Sequence, residues 1–173
     1  MKQSIYLETT IVSYYTSKPS RDIIVLAHQE ITRQWWPMAI KRYDVYISEV
    51  VIEEAGFGDM ESAKRRLEAL KDFPHLELND KVEEMAQIYM ERLEIPEKSF
   101  RDAAHLAIAS IHHIDYLVTW NCTHLANGEV IRKLMKINES FGVHTPNYLH
   151  TRRVNGGMRD VERPDCSGSS KGR

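Results

Sequence analysis

Cysteine is nearly absent from this chain of 173 residues: Cys122 and Cys166 are the only two, and they form no CxxC pair. That excludes a disulfide framework and a structural zinc clip, both of which need several thiols at short spacing. Long hydrophobic runs are also missing. No stretch approaches the length of a membrane span, and Met1–Leu7 is too short for a secretory leader, so a cytoplasmic protein with no membrane contact is expected. A strong net charge is lacking too, the formal value being -2. Evenly spread, that value would argue against a nucleic-acid partner, but it is not evenly spread. Residues 151–173 carry six basic side chains (Arg152, Arg153, Arg159, Arg163, Lys171, Arg173) against three acidic ones (Asp160, Glu162, Asp165), which leaves the body at -5. An acidic body can hold divalent cations and through them bind phosphate. The Gly, Ser and Pro content of the tail and its lack of apolar periodicity predict a disordered basic end.

What is present is an alternation of strand and helix patterns in a chain long enough to bury a core as one domain, expected over 1–150. Ile5–Leu7 reads as a strand, and the loop Ser17–Ser20 precedes a helical pattern from Asp22 to Ile40, where Pro37 is the candidate end or kink. Tyr43–Ile47 reads as a second strand; Ser48 is a cap for the helix Glu49–Ala55, and Gly56–Gly58 stops it. Ala63–Leu70 and Val82–Leu93 are amphipathic helices separated by Leu76–Leu78. Ser99 is a cap for a helix reaching His113, Tyr116–Val118 is a buried strand, and Val130–Phe141 is a helix closed by Gly142. Val143–Thr145 is a candidate edge strand before Pro146. This order predicts an α/β protein with a central parallel sheet covered by helices on both faces, whose site lies beyond the carboxyl ends of the strands.

Three acids stand where such a site would lie. Asp102 heads the apolar helix segment Arg101–Ser110, Glu8 follows the first strand, and Glu54 follows the second. A carboxylate placed there needs a cation, a donor network or water. Each also has a structural reading. Ser99–Phe–Arg–Asp102 is a capping-box pattern in which Asp102 would return to the Ser99 amide. Glu54 competes with Glu49 and Glu53 for the inward position, and Glu8 can be a loop acid. His105, His124 and Cys122 lack structural-zinc spacing, and His105, one turn after Asp102, reads as a packed or hydrogen-bonded histidine. Trp35–Trp36 and Tyr14–Tyr15 fit either core, a dimer interface or base stacking, while Arg101 and Lys64–Arg66 are the phosphate candidates.

Taken together and in order, Tyr6–Leu–Glu–Thr–Thr10, Ser48–Glu–Val–Val–Ile–Glu–Glu54, Asp102–Ala–Ala–His–Leu–Ala107 and Leu117–Val–Thr–Trp–Asn–Cys–Thr–His–Leu125 resemble the four motifs of the PIN domain, in particular the VapC-like toxin ribonucleases. The tail lies outside the resemblance. It implies a three-layer α/β/α fold and a metal-dependent endoribonuclease that uses Mg2+ or Mn2+. RNA is the implied substrate, a cognate antitoxin the implied partner, and a homodimer is expected, with the Ile23–Trp36 helix surface as its face.

Carried over residue by residue, Glu8, Glu54, Asp102 and Asn121 form the implied catalytic set. Glu8, Asp102 and Asn121 are the expected metal contacts, Glu54 a metal or water-orienting group, and Thr9, Thr119 and Arg101 the substrate contacts. Two departures bear on this. Glu8 is one methylene longer than the usual Asp. Asn121 replaces the common fourth Asp and brings an amide oxygen without charge, which favours one metal over two because oxygen sites draw affinity from their carboxylates. Hard oxygen donors suit Mg2+ or Mn2+, and such an ion supplies what phosphodiester cleavage requires. Two other classes stay open: a catalytically weakened RNA- or partner-binding module, and a metal-dependent phosphohydrolase acting on small substrates.

Overall fold

Ile5, Tyr6 and Leu7 follow one another with no polar residue between them, the mark of a strand covered on both faces. In the computed structural model, which describes residues 1–149, they lie in β1 (Ser4–Leu7) and all three are buried. The tail expected at 151–173 and the last residue of the expected 1–150 domain lie outside the described residues. Along the chain follow α1 (Thr9–Thr16), α2 (Ile23–Arg42), β2 (Asp44–Ser48), α3 (Glu49–Ala55), α4 (Met60–Leu70), β3 (His75–Leu76), α5 (Asp80–Arg92), a short 3-10 turn (Glu97–Ser99), α6 (Phe100–Ile111), β4 (Tyr116–Val118), α7 (Gly128–Phe141) and β5 (Asn147–Leu149).

The strands form one sheet in the order β3-β2-β1-β4-β5, every pairing parallel. Flanked by the helices, it is the expected three-layer α/β/α arrangement. Because the chain winds outward from β1 through β2 to β3 and then crosses back to β4, the order reverses between β1 and β4. At such a reversal the loops leave in opposite directions and open a crevice at the carboxyl ends of the strands. Helix α6 is buried from Ala103 to Ser110, and its alanines let the neighbouring elements approach closely.

The structure corrects several local expectations. The edge strand is Asn147–Leu149 rather than Val143–Thr145: Pro146 has no N–H to give, and pairing starts one residue later, with the Asn147 amide donating to Asp115 O (2.9 Å). Helix α2 does not end at Pro37 but runs on to Arg42. Pro37 is exposed, so solvent can serve the carbonyl that its ring leaves without an N–H partner. Ser99 makes no side-chain cap, and a 3-10 turn leads into α6 instead. Trp35 and Trp36 belong to the core, so the exposed apolar residues of α2 are Ile23, Ile24, Met38 and Ile40 rather than an aromatic face. Helix α1 had not been foreseen: its β-branched and aromatic residues are weak helix formers, yet burial of Ile11 and Val12 and a cap from Glu8 hold it helical.

Candidate metal centre

Glu8 leaves β1 at the reversal point, where its amide donates to Val118 O of β4 (3.0 Å). Its side chain turns back over the start of α1. There it accepts from the Thr10 amide (3.1 Å) and the Thr10 hydroxyl, and from the Thr119 hydroxyl (2.7 Å). The extra methylene of glutamate lets one carboxylate cap α1 while remaining 5% exposed in the crevice.

Glu54 comes from the last turn of α3, whose end is fixed by Arg66: Nε donates to Ala55 O (2.9 Å) and Nη2 to Phe57 O (2.5 Å). Of the three acids on this helix, Glu49 and Glu53 are exposed and Glu54 faces inward. Its Oε2 accepts from the Thr9 hydroxyl and lies 3.0 Å from His105 Nε2. Burial pushes this carboxyl up, but the His105 contact, the Thr9 hydroxyl and the nearby Arg101 charge outweigh it and hold Glu54 below the usual glutamate range.

Asp102 sits half-buried in the first turn of α6. It does not return to the Ser99 amide, which donates to Pro96 O instead (2.7 Å), so the capping-box reading does not hold. Its Oδ1 accepts from Asn121 Nδ2 (2.9 Å). Burial raises the Asp102 pKa and Glu54 adds to the rise, against the pull of His124, His105 and the Asn121 donor. Asn121 is oriented by its other atom: Oδ1 accepts the His124 amide (3.0 Å), and since an amide N–H can only donate, the nitrogen must face the carboxylate.

The sequence-derived residues thus fall into two connected groups. Glu8 and Glu54 come together with His105, with one ligand atom from each lying within 4.8 Å of the others. Asp102 and Asn121 pair beside them, close enough for Asp102 to feel both Glu54 and His105. Thr9 and Thr119 are turned onto Glu54 and Glu8 and so orient the acids. Arg101 is exposed, with its guanidinium 5.1 Å from the centroid of the Phe57 ring. His105 is the residue whose place was underestimated. It is 1% exposed at the centre of the cluster, and its signal in the sequence was only a histidine one turn after an acid in an otherwise apolar helix.

Among the described residues neither Glu8 nor Glu54 pairs with a lysine or arginine; the ion-pair geometry here is His105 with Glu54. Two carboxylates with a third adjacent, faced by a single imidazole, leave a surplus of negative charge at a half-buried to buried site, a setting that suits a divalent cation.

Neither a family model nor a curated protein matches this sequence. The fold does find a match: the crystal structure of Mycobacterium tuberculosis VapC20, described as a Sarcin-Ricin loop cleaving toxin, is similar with a TM-score of 0.52 at 20% identity. The similarity covers 72% of this chain and 95% of that one. The chain has a PIN-type fold. In this PIN-type arrangement Glu8 stands at the carboxyl end of β1, Glu54 in the last turn of the helix that follows β2, and Asp102 at the head of α6.

Proposed function

We propose that the chain is a metal-dependent endoribonuclease that hydrolyses RNA phosphodiester bonds, the toxin of a type II toxin–antitoxin pair. The observation that carries this reading is the convergence of Glu8, Glu54 and His105 within 4.8 Å, with Asp102 beside them, on a fold shared with a Sarcin-Ricin loop cleaving toxin. Glu8, Glu54 and Asp102 would hold one Mg2+ or Mn2+. When bound, such an ion neutralises charge on the phosphoryl and leaving oxygens and acidifies an attacking water.

The protein's own residues prepare that site. Thr10 and Thr119 fix Glu8, Thr9 and His105 fix Glu54, and Asn121 holds Asp102 by donating to it, which gives the amide a positioning role beside any auxiliary contact through its oxygen. Arg101, exposed and near enough to Glu54 to lower its pKa, would meet a phosphate. Cytoplasmic residence, a cognate antitoxin and a homodimer belong to the same reading. In its support, no helix among the described residues is long and apolar enough to cross a membrane.

A second reading, a weakened RNA-binding module, is favoured by one observation: both oxygens of Glu8 already receive donors, three in all. Incubating wild type and Asp102→Asn with structured and single-stranded RNAs, one of them a Sarcin-Ricin loop, in Mg2+, Mn2+ or EDTA separates the two. Cleavage that needs the ion and vanishes in the variant is expected. A folded wild type that binds these RNAs and cuts none in either metal would leave the binding module.

A further inference from the structure

A line of buried hydrogen bonds ends on Glu54. Tyr6 is fully buried in the central strand, and its hydroxyl lies 2.7 Å from Ser48 Oγ and 2.7 Å from His105 Nδ1. The other ring nitrogen of His105 lies 3.0 Å from Glu54 Oε2. At the far end Ser48 Oγ accepts the Val51 amide (3.4 Å). The line crosses four elements, β1, β2, α6 and α3, and joins residues as far apart as 99 positions.

With a neutral imidazole, its direction follows from the acid end. A carboxylate only accepts, so His105 Nε2 carries the hydrogen that faces Glu54. In the neutral ring Nδ1 is then an acceptor, Tyr6 O–H donates to it, and the Ser48 hydroxyl donates to the tyrosine oxygen. Ser48 Oγ retains a lone pair for the Val51 amide. Each donor meets an acceptor and none is left over. A phenylalanine and a leucine would fill the same core space without such a network, and the acid at its end is the feature that accounts for the polar groups.

We propose that Ser48, Tyr6 and His105 form a positioning chain that, together with Thr9, occupies Oε2 of Glu54 and leaves Oε1 as the single oxygen presented to a divalent cation. Oε2 receives both the Thr9 hydroxyl and His105 Nε2, whereas among the described residues Oε1 receives no hydrogen bond. Glu54 is then a monodentate ligand, and His105 acts on the ion through Glu54 rather than by binding it. This inference rests on the metal-dependent reading above.

The test is Mn2+ binding by the full chain, stripped with EDTA and titrated while free Mn2+ is followed by EPR. Tyr6→Phe keeps the ring and removes the hydroxyl. It is expected to weaken Mn2+ affinity about tenfold, the low end for groups that orient a ligand. In a Glu54→Gln background the same change is expected to alter affinity less than about twofold, because the chain then ends on no charged ligand. Pulsed EPR of the bound Mn2+ is expected to show no directly coordinated imidazole nitrogen.

Unchanged affinity in Tyr6→Phe, an equal loss in both backgrounds, or a coordinated nitrogen would each overturn the proposal. If Tyr6→Phe does not fold, His105→Gln and His105→Leu carry the same decision. The amide can still donate to Glu54 and should retain affinity that the leucine loses, while equal affinities overturn the proposal. A wild type that binds no Mn2+ would sink this inference and the metal-dependent reading together. Tight wild-type binding with no effect of Tyr6→Phe sinks this inference alone.

Discussion

Two buried polar clusters stand in this molecule, and they are built on opposite rules. Around Asn138, which is fully buried in α7, every group is neutral. The Tyr89 hydroxyl donates to Oδ1, and Nδ2 reaches His144 O (2.9 Å), Thr145 Oγ1 (3.1 Å) and Ser110 Oγ (3.3 Å). This amide ties α5, α6 and α7 to the segment leading into β5, and burial pushes the Tyr89 hydroxyl up to about 12, so it stays a donor. Around Glu54 and Glu8 the donors are hydroxyls, one amide and an imidazole, while the acceptors are carboxylates. A closed neutral network serves only the fold. An acid cluster that no lysine or arginine among the described residues neutralises keeps charge in reserve for a ligand, and the raised Asp102 pKa marks its cost to the protein alone.

The comparison can be broken most directly by Glu54→Gln. RNA cleavage should fall by roughly 10²–10³-fold, the usual loss when a group that stabilises transition-state charge is removed. The melting temperature in EDTA should fall only modestly at neutral pH, since the His105 and Thr9 donors favour the ionised carboxylate, and a variant that lost stability in step with activity would show that the two clusters follow one rule. Next in size is Asn138→Ala, which strands Tyr89, Ser110 and Thr145 together. A loss of about 2–3 kcal/mol in urea unfolding is expected, with cleavage by the folded fraction unchanged.

A smaller effect concerns pH. The Asp102 pKa is raised, so its contribution to stability is present in full below its ordinary value of 3.8 and is lost as pH rises through the raised value. Glu54 has the opposite sign: its contribution is present above 4.5 and is lost as pH falls through the lowered value. Metal-free Asp102→Asn should therefore be more stable than wild type at pH 7, with the advantage gone at acid pH. A parallel pair of melting curves from pH 3 to pH 8 would contradict the assignment. The smallest change is expected for Arg101→Gln, where the salt dependence of RNA binding should lose about 0.7 in slope, one phosphate contact on a single strand. An unchanged slope would place Arg101 outside the RNA path.

Much of this architecture was legible because the strands carry their own punctuation. Leu7–Glu8, Ile47–Ser48 and Val118–Thr119 each pass from apolar to polar at a strand's carboxyl end, which located the parallel sheet and Glu8, whereas Glu54 and Asp102 were singled out by the motif spacing from Ser48 and by an acid heading an apolar helix. Helix α1 was not legible, since Thr9–Thr16 has the composition of a strand and is helical because of what Ile11 and Val12 pack against. The pairing of Asn121 with Asp102 depends on which way one amide faces, and no spacing encodes that. His105 was legible as a residue with a partner but not as the link between Tyr6 and Glu54, because that link joins elements distant in the chain.

The separation between β1 and β4 also orders events in time. Glu8 and Thr119 meet across 111 positions, and every strand pairing in the sheet is parallel, so each is reached only after a crossover. A chain emerging from the ribosome has Glu8 and Glu54 early, but it cannot close the crevice until β4 is free to slot beside β1. Nascent protein therefore carries Glu8 and Glu54 without the geometry that would let them act together, and that geometry arrives only with β4 and Thr119.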